Sequence, residues 1–233
     1  GIHMNGDMSM GGDGIMTGWV IEKIRSYSNM NGFDADGVEL SVWKNNLTHD
    51  FTSKGIHFTG ADGAITTRNC RLLNNTLVCS ATAWYPFSVI VGDPAKGNPV
   101  GIRLFNNIFY SFQDSAYRGS YCMSSLGFSD FQADYNVVMN WFGVDDNGGQ
   151  ETLAQWRARG YETHSVQTTN TPAARAAMWA DPDNAVPGSK NFHLISGSPA
   201  IEAGKNNSPD VTADMDGVTR PQGPKFDAGC YEY

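Results

Sequence analysis

Positive charge is scarce in this sequence of 233 residues. Only 16 residues are Lys or Arg, against 24 Asp or Glu, and the formal net charge is −8. Nucleic-acid binders usually present a basic face, so a nucleic-acid partner is not expected. An acidic polysaccharide is disfavoured for the same reason unless Ca²⁺ bridges the two negative surfaces, whereas a neutral glycan raises no such conflict.

Long apolar runs and closely spaced cysteine pairs are also lacking. No apolar run approaches the roughly 18 residues of a membrane-spanning helix, so no membrane partner is expected. The first residues, GIHMNGDMSMGGDG, have neither a basic start nor an apolar stretch, so we expect a mature or excised segment rather than a signal peptide. The four cysteines form no C-x-x-C pair, which argues against zinc. We expect mainly buried thiols, and three disulfide pairings stay open.

Asparagine, in contrast, is frequent and recurs at one position between apolar residues. The motif appears as KNNLTH, LNNTLV, FNNIFY and DYNVVM. Its recurring member is Asn46, Asn75, Asn107 and Asn136, at intervals of 29, 32 and 29 residues. A second signal, GIHM, GFDA, GIHF, FSVI and YCMS, runs out of step with the first. Repeats of this length are typical of solenoid proteins.

Two interleaved strand signals predict an all-β fold, a right-handed parallel β-helix whose coils each contain two or three short strands. Stacked strands lie about 4.8 Å apart, so each residue falls above its counterpart in the next coil. An asparagine at a bend can then hydrogen-bond to the asparagine of the next coil and form a ladder. The competing interpretation is glycosylation at the sequons that begin at Asn46 and Asn74.

The C-terminal part differs in composition. GGQETLAQWRARG (148–160) contains good helix formers, and Leu153 and Trp156 are spaced for one face, so we predict one short helix there. The later segments NFHLISGSPAIEAG and DMDGVTRPQGPKFDAGCYEY are rich in Gly and Pro and predict an extended tail that runs along the β-helix and closes its C-terminal end. The predicted organisation is β-helix coils at 1–147 and a short helix with a capping tail at 148–233, within one domain.

Six pieces of the sequence carry a family resemblance. They are GIHMNGDMSMGGDG, DGVELSVWKNNLTHDFTSKGIHF, DYNVVMNWF, TLAQW, FHLISGSPAIEAG and DMDGVTRPQGPKFDAGCYEY, and they span nearly the whole chain. In these pieces the chain resembles bacterial right-handed parallel β-helix repeat proteins, many of them linked to polysaccharides. The resemblance implies an extracellular or cell-surface carbohydrate setting, with further N-terminal coils or an appended catalytic domain as partners. It implies no single activity, because this fold carries lyases, hydrolases, epimerases and binding modules, xylan binders included.

Alternation along the second strand signal predicts a polar column. When the apolar residues of GIHM, GFDA and GIHF point inward, their neighbours point outward. Two histidines and two aspartates on stacked strands are typical of a metal site or of an acid–base group, and an ordinary solvated face is the alternative. The residues of the column are His3, Asp34, His57 and Ser88, with Asp36 beside them; the catalytic candidates are His3, Asp34, Asp36 and His57.

Strong catalytic signatures are missing. The G-D-D and G-H-G motifs of β-helical pectin hydrolases do not occur, and the basic residues that a lyase needs occur singly. DMDG and GADGA resemble fragments of calcium loops but lack the remaining ligands. We therefore favour turn chemistry at these sites, with Arg220 paired to Asp227. No cofactor is predicted, and Ca²⁺ is the one ion left open.

Carbohydrate binding requires fewer specific residues than catalysis, namely exposed aromatic rings beside hydrogen-bonding groups. Trp43, Trp84 and Tyr85 are candidates for such rings, because they lie before a corner or in a loop. Asp34 and His57 would supply polar contacts. Core packing is the alternative for every ring. Further large rings are Trp19, Tyr117, Trp141 and Phe142.

These observations predict a noncatalytic carbohydrate-binding β-helix module. Its ligand would be an extended, neutral, xylan-like polysaccharide, where xylan follows from the family resemblance and the neutral character from the net charge. One alternative is a polysaccharide lyase or glycoside hydrolase that acts in a shallow groove of the β-helix. Another is a structural end-domain that caps a longer solenoid.

Overall fold

Strands dominate the computed structural model, which describes residues 1–113, 118–146 and 149–233. The chain is β-rich, as predicted, and helices are few. The strands are β1 (Ile2–Asn5), β2 (Met16–Thr17), β3 (Val20–Glu22), β4 (Arg25–Tyr27), β5 (Phe33–Asp36), β6 (Val38–Glu39), β7 (Val42–Lys44), β8 (Leu47–Phe51), β9 (Lys54–Thr59), β10 (Arg71–Leu73), β11 (Thr76–Cys79), β12 (Tyr85–Val89), β13 (Arg103–Phe105), β14 (Ile108–Ser111), β15 (Tyr121–Met123), β16 (Gln132–Asp134), β17 (Val137–Val138), β18 (Trp141–Val144), β19 (Gly149–Thr152), β20 (Val166–Gln167), β21 (Trp179–Asp181) and β22 (Asn191–Leu194). The helices are α1 (Leu153–Ala158) and α2 (Pro172–Met178), with short 3₁₀ helices at Met8–Met10, Pro94–Lys96, Ser125–Asp130 and Pro187–Ser189.

Most strands belong to three parallel sheets. Sheet 1 has the order β1-β5-β9-β12-β15-β18 and ends in the antiparallel β19. Sheet 2 has the order β3-β7-β10-β13-β16, and sheet 3 has the order β4-β8-β11-β14-β17-β20. From β3 onward the chain passes through sheet 2, sheet 3 and sheet 1 in the same sequence five times. The short pairs β2–β6 and β21–β22 lie outside these sheets.

Equivalent residues of successive strands lie beside one another and build a continuous core between the sheets. In sheet 1, Ile2 pairs with Phe33, Phe33 with Ile56 and Ile56 with Phe87, so the predicted inward column is confirmed. Phe33, Ile56 and Phe87 are fully buried, and burying one such side chain contributes about 2–3 kcal/mol. Ile2 is 39% exposed because β1 is the edge strand of the sheet.

The first asparagine of each pair makes the bend. Asn45, Asn74 and Asn106 have φ values of 53°, 55° and 58°, in the left-handed region that asparagine tolerates better than most residues. Because each stands between a strand of sheet 2 and a strand of sheet 3, the chain turns the same corner at each passage. Turn chemistry therefore explains why asparagine interrupts these apolar runs.

The second asparagine of each pair forms the predicted ladder. Asn46 Nδ2 donates to Asn75 Oδ1 at 2.9 Å, Asn75 Nδ2 to Asn107 Oδ1 at 2.9 Å, and Asn107 Nδ2 to Asn136 Oδ1 at 3.1 Å. Each of these oxygens also accepts the backbone N–H of the previous asparagine, at 3.0, 3.0 and 2.7 Å. All four side chains are fully buried, as is Asn74, so the ladder is confirmed and the sequon interpretation of Asn46 and Asn74 is wrong.

A glutamate ends the ladder. Asn136 Nδ2 lies 3.0 Å from both carboxylate oxygens of Glu162, which also accept hydrogen bonds from Tyr121 Oη at 2.7 Å and from Ser165 Oγ. Burial raises the pKa of Glu162 to about 7, although the hydrogen bonds from Ser165, Asn136 and Tyr121 oppose this shift. Ser165 takes the position of a further asparagine, since its Oγ accepts the Asn136 backbone N–H at 2.8 Å, while the Glu162 carboxyl satisfies the last side-chain amide of the ladder.

The C-terminal tail (191–233) covers sheet 3 and its corner with sheet 2. Apolar side chains of the tail, such as Ala228 and Tyr231, pack with Leu47, Val78 and Ile108 of sheet 3 in a second hydrophobic cluster. The tail thus lies along the side of the sheets, as predicted, and its closure of the C-terminal end stays a prediction. The bend asparagines hold the tail through its carbonyls: Asn45 to Ala213 at 2.8 Å, Asn74 to Asp227 at 2.9 Å, and Asn106 to Lys205 at 2.7 Å.

A buried ion pair fixes the end of the tail. Arg220 Nη1 lies 2.6 Å from Glu232 Oε2, and both side chains are fully buried. Arg220 also donates to the carbonyls of Asp227 at 3.0 Å and Gly229 at 2.8 Å. The predicted pairing of Arg220 with the Asp227 side chain is wrong, because Glu232 supplies the carboxylate.

The predicted helix at 148–160 is shorter than expected. Its residues Gly149–Thr152 form β19, and α1 begins only after the Thr152 cap. Leu153 and Trp156 of α1 are buried in the core, as their spacing predicts. A second helix, α2, was not predicted; Thr171 caps it and Pro172 occupies its first turn. The boundary between residues 147 and 148 lies outside the described residues, and the proposed division there stays a prediction.

All four cysteines are buried and free. Burial raises the pKa of Cys70, Cys122 and Cys230 to about 12, so these thiols are protonated and unreactive at neutral pH. Among the described residues, no helix is long and apolar enough to cross a membrane.

Candidate functional site

The outer face of sheet 1 carries a row of polar side chains, here called the polar row: His3, Asp34, His57, Ser88 and Cys122. These residues pair in register across five adjacent strands, as the alternation predicts for the first four. They point away from the core because their neighbours on each strand, such as Phe33 and Ile56, fill it. His3, Asp34 and His57 reach solvent at least in part, whereas Ser88 and Cys122 are covered and fully buried. The polar row therefore runs perpendicular to the strands and across the face of the sheet.

His57 is the most buried basic group of the row. Its Nδ1 lies 2.8 Å from Ser88 Oγ on the adjacent strand. Burial lowers the pKa of His57 to about 3, and the nearby Lys54 ammonium adds to the shift. The imidazole is therefore neutral at physiological pH. Its Nδ1 is hydrogen-bonded to the Ser88 hydroxyl, and either group can be the donor of that bond, depending on the tautomer.

Two carboxyl groups flank Lys54 beside the row. Lys54 Nζ lies 3.9 Å from Asp146 Oδ1, and its charge also acts on Asp34. Burial raises the pKa of Asp34 and outweighs the hydrogen bond that Asn31 Nδ2 donates to it at 2.9 Å. Asp34 Oδ1 is buried without a hydrogen-bond partner among the described residues. A part-exposed carboxyl with a raised pKa is suited to exchange a proton.

The Tyr85 hydroxyl adds to the group of ionisable residues formed by Asp34, Lys54, His57 and Asp146. Gln150 Nε2 of β19 donates to it at 2.9 Å, and burial raises the pKa of Tyr85 to about 12, so the hydroxyl stays protonated. Gly143 leaves room for this ring, because a Cβ atom there would lie 2.4 Å from the Tyr85 hydroxyl. Gly143 also pairs in register with Cys122, so it continues the line of the polar row.

A second group at the first edge of sheet 1 combines His3 with two aspartates. His3 Nε2 lies 3.1 Å from Asp36 Oδ2, and the Asp62 N–H donates to Asp36 Oδ1 at 3.1 Å. One ligand atom from each of the three side chains lies within 4.8 Å of the others, which is close enough to hold a metal ion. A mixed nitrogen and oxygen set suits zinc- or manganese-like ions better than Ca²⁺, which prefers oxygen ligands.

The two fragments that resemble calcium loops have different surroundings. GADGA contributes Asp62 to the group just described. In DMDG, Asp214 Oδ1 accepts the N–H groups of Asp216 at 2.9 Å and Val218 at 2.8 Å, and its Oδ2 accepts that of Glu232 at 2.9 Å. Turn chemistry therefore accounts for DMDG.

The predicted aromatic platform is wrong for two of its three rings. Trp43 is fully buried and contacts Phe58 in the core, and Tyr85 is 1% exposed, so neither ring can stack on a sugar. Trp84 is half-buried, and the Arg118 guanidinium lies 3.7 Å from its ring centroid. Tyr117 lies outside the described residues. Among the other candidates, Trp19 is 49% exposed on the loop before β3, whereas Phe142 is buried.

Lys54 and Asp146 were missed in the sequence because neither belongs to a motif. Lys54 opens the GIHF strand, and its position at the start of β9 is the one available signal; Asp146 arrives from a later passage through the sheets. The register brings together His3, Asp34, Asp36 and His57, while their chemical roles stay predictions. No protein-family model matches the chain, and no curated protein matches its sequence.

Proposed function

We propose that the chain is a right-handed parallel β-helix that recognises an extended polysaccharide on the outer face of sheet 1. Five passages through the same three sheets support the β-helix, since each passage has the composition of one coil. The in-register asparagine ladder supports it as well, because such a ladder needs equivalent residues stacked at the spacing of adjacent strands.

The polar row is the observation that carries the functional proposal. It presents hydrogen-bonding side chains on successive strands about 4.8 Å apart, which is similar to the length of one sugar ring along a chain. The exposed His3 and the part-exposed Asp34 and His57 provide acceptors and donors for sugar hydroxyls, whereas Ser88 is fully buried and orients the His57 ring. Buried aromatic rings do not contribute, so recognition on this face rests on hydrogen bonds.

The net charge of −8 favours a largely neutral ligand, and xylan is the polymer that the family resemblance suggests. An extracellular or cell-surface setting follows from the same ligand, because such polymers occur outside cells. A catalytic domain or further β-helix coils on the same polypeptide are the partners that we propose for a binding module of this kind.

A second candidate function is a polysaccharide lyase or glycoside hydrolase at the same place. It is favoured by the cluster of Lys54, Asp34, Asp146 and His57, in which burial raises the pKa of Asp34 and lowers that of His57. A hydrolase needs one carboxyl that keeps its proton, and the raised pKa of Asp34 suits that role. A lyase needs a base, for which Lys54 and neutral His57 are the candidates.

A single incubation experiment distinguishes polysaccharide binding from polysaccharide cleavage. The protein is incubated with insoluble xylan, cellulose and pectin, and bound protein, new reducing ends and unsaturated products are measured together. We expect retention on xylan without new products, and His57→Ala or Asp34→Asn should weaken retention at least tenfold, about 1.4 kcal/mol. The control is His193→Ala, which removes an exposed histidine from β22.

Reducing ends or unsaturated products that disappear in His57→Ala would establish the enzymatic candidate instead. Retention that is unchanged in both His57→Ala and Asp34→Asn would contradict recognition by the polar row.

A further inference from the structure

The corner after β16 departs from the earlier corners between sheets 2 and 3. The first passage has Lys23 at this corner and the next three have Asn45, Asn74 and Asn106, whereas this one has Tyr135, and its φ is 59°. Left-handed backbone is unfavourable for a bulky side chain and is tolerated by asparagine. The three asparagines use their amides to hold the tail, whereas the Tyr135 ring stacks on His164. An asparagine at position 135 would reduce the strain of this left-handed backbone. The presence of tyrosine there points to a use for its ring.

Asp134 builds the Tyr135–His164 pair. The ring centroids are 4.8 Å apart and the planes differ by 9°. The Asp134 carboxylate accepts the N–H groups of Tyr135 at 2.9 Å and His164 at 2.7 Å, and it lies 2.6 Å from His164 Nδ1. The carboxylate therefore fixes the His164 ring directly and Tyr135 through its backbone, and the two stacked rings form a platform.

A cavity of about 710 Å³ lies against this platform, between it and the tail. We call it the tail groove. Tyr135 and His164 line one part of it. Residues of the tail line the rest, among them Glu202, Lys205, Pro221 and Lys225. A groove with aromatic and proline surfaces and a few polar groups has the composition of a sugar-binding site.

Positive charge is concentrated in the tail groove although the whole chain is acidic. Lys205 is half-buried, and its Nζ lies 3.1 Å from the centroid of the Phe105 ring. In the described part of the chain, neither Lys205 nor Lys225 forms an ion pair, and Glu202 is the one carboxylate in the lining. Asp134 lies outside the lining and acts on Lys205 through its charge, without direct contact. A half-buried ammonium without a carboxylate partner favours an anionic group on the ligand.

We propose that the tail groove binds a uronic-acid branch of an otherwise neutral polysaccharide. The Tyr135–His164 platform stacks on the sugar ring, and Lys205 pairs with its carboxylate. A single acidic branch avoids the repulsion that the net charge of −8 imposes on a wholly acidic polymer. This inference rests on the proposed recognition of polysaccharide, and it adds a second contact region, with its own ligand chemistry, to the polar row.

Calorimetry with two probes tests the inference. The probes are a xylo-oligosaccharide that carries one glucuronic acid branch and the same oligosaccharide without the branch. We expect the wild-type protein to bind the branched probe at least tenfold more tightly, and Lys205→Met to bind both equally. Tyr135→Asn introduces the residue found at three earlier corners, so it should weaken binding of the branched probe at least tenfold without lowering the melting temperature. Lys23→Met is the matched control, because Lys23 is an exposed lysine at the equivalent corner of the first passage.

The outcomes separate this inference from the proposed function. Equal binding of both probes by the wild type, or a preference that survives Lys205→Met, would overturn the inference alone. Wild-type affinity in Tyr135→Asn would show that the ring has no part in binding and would also overturn it. Failure of the wild type to bind either probe would remove the proposed function together with the inference.

Discussion

At the scale of single residues, burial decides the chemistry of the ionisable groups. His57 is kept neutral and Glu162 tends to hold its proton, because neither can be hydrated in its charged form. Their positions differ, however. His57 belongs to the polar row beside Lys54, whereas Glu162 is fully buried at the end of the asparagine ladder. Similar electrostatics therefore serve the candidate site in one case and the folded structure in the other.

Glu162 should make stability depend on pH. Its pKa rises from 4.5 to about 7 on folding, so its contribution to stability is complete below pH 4.5 and is lost as the pH rises through 7. The shift corresponds to about 3 kcal/mol. We expect Glu162→Gln to remove this decline between pH 5 and 8 in urea unfolding experiments. The control, Glu202→Gln at an exposed position, should retain the wild-type slope; an unchanged slope in Glu162→Gln would contradict the account.

At the scale of elements, the asparagine ladder ties the corners of successive passages together. Asn107 Oδ1 accepts hydrogen bonds from the side-chain amide and the backbone N–H of Asn75. Asn107 Nδ2 donates to Asn136 Oδ1 and, at 2.9 Å, to the Leu72 carbonyl. Its loss leaves several buried groups unsatisfied at once, so Asn107→Ala should lower the free energy of unfolding by about 2–4 kcal/mol.

The exposed Asn206 provides the comparison for Asn107. It makes a local hydrogen bond to the Ser208 N–H at 2.8 Å, and Asn206→Ala should change stability by about 0.5 kcal/mol or less. Denaturant unfolding of the two variants checks the prediction. Similar values for both would mean that the ladder contributes no more than an exposed turn.

The sequence predicts those elements whose signals repeat. The asparagine intervals and the alternation in GFDA and GIHF predicted the ladder and the register of sheet 1, because in-register stacking turns a sequence period into a contact. The helix α2 carried a Thr cap and an N-terminal Pro, but it is too short for an apolar period to appear. The burial of Trp43 could not be predicted, because one ring before a corner fits the core and the surface equally well.

At the scale of the whole molecule, the tail joins residues that are far apart in the sequence. The Asn74–Asp227 hydrogen bond spans 153 residues, and no local pattern predicts such a contact. For the same reason the tail groove and the approach of Asp146 to Lys54 emerge only in the folded chain. The tail groove thus depends on packing rather than on motifs, whereas the polar row follows from the strand repeat.

The Arg220–Glu232 pair should hold the tail in place. Glu232→Ala leaves a buried guanidinium without its carboxylate, and we expect a loss of about 3–5 kcal/mol together with faster proteolysis of the tail. The double variant Arg220→Met/Glu232→Leu removes both charges and should lose less than the single one. A single variant that resists protease as well as the wild type would show that the pair is dispensable.

Nuclear magnetic resonance mapping tests recognition on sheet 1 most directly. Amide shifts of the isotope-labelled protein are followed during titration with an unbranched xylo-oligosaccharide. The account predicts that the perturbed amides cluster on β5, β9 and β12, around Asp34, His57 and Ser88. Shifts confined to sheets 2 and 3, or no shifts at saturating concentrations of xylo-, cello- and oligogalacturonide ligands, would contradict it.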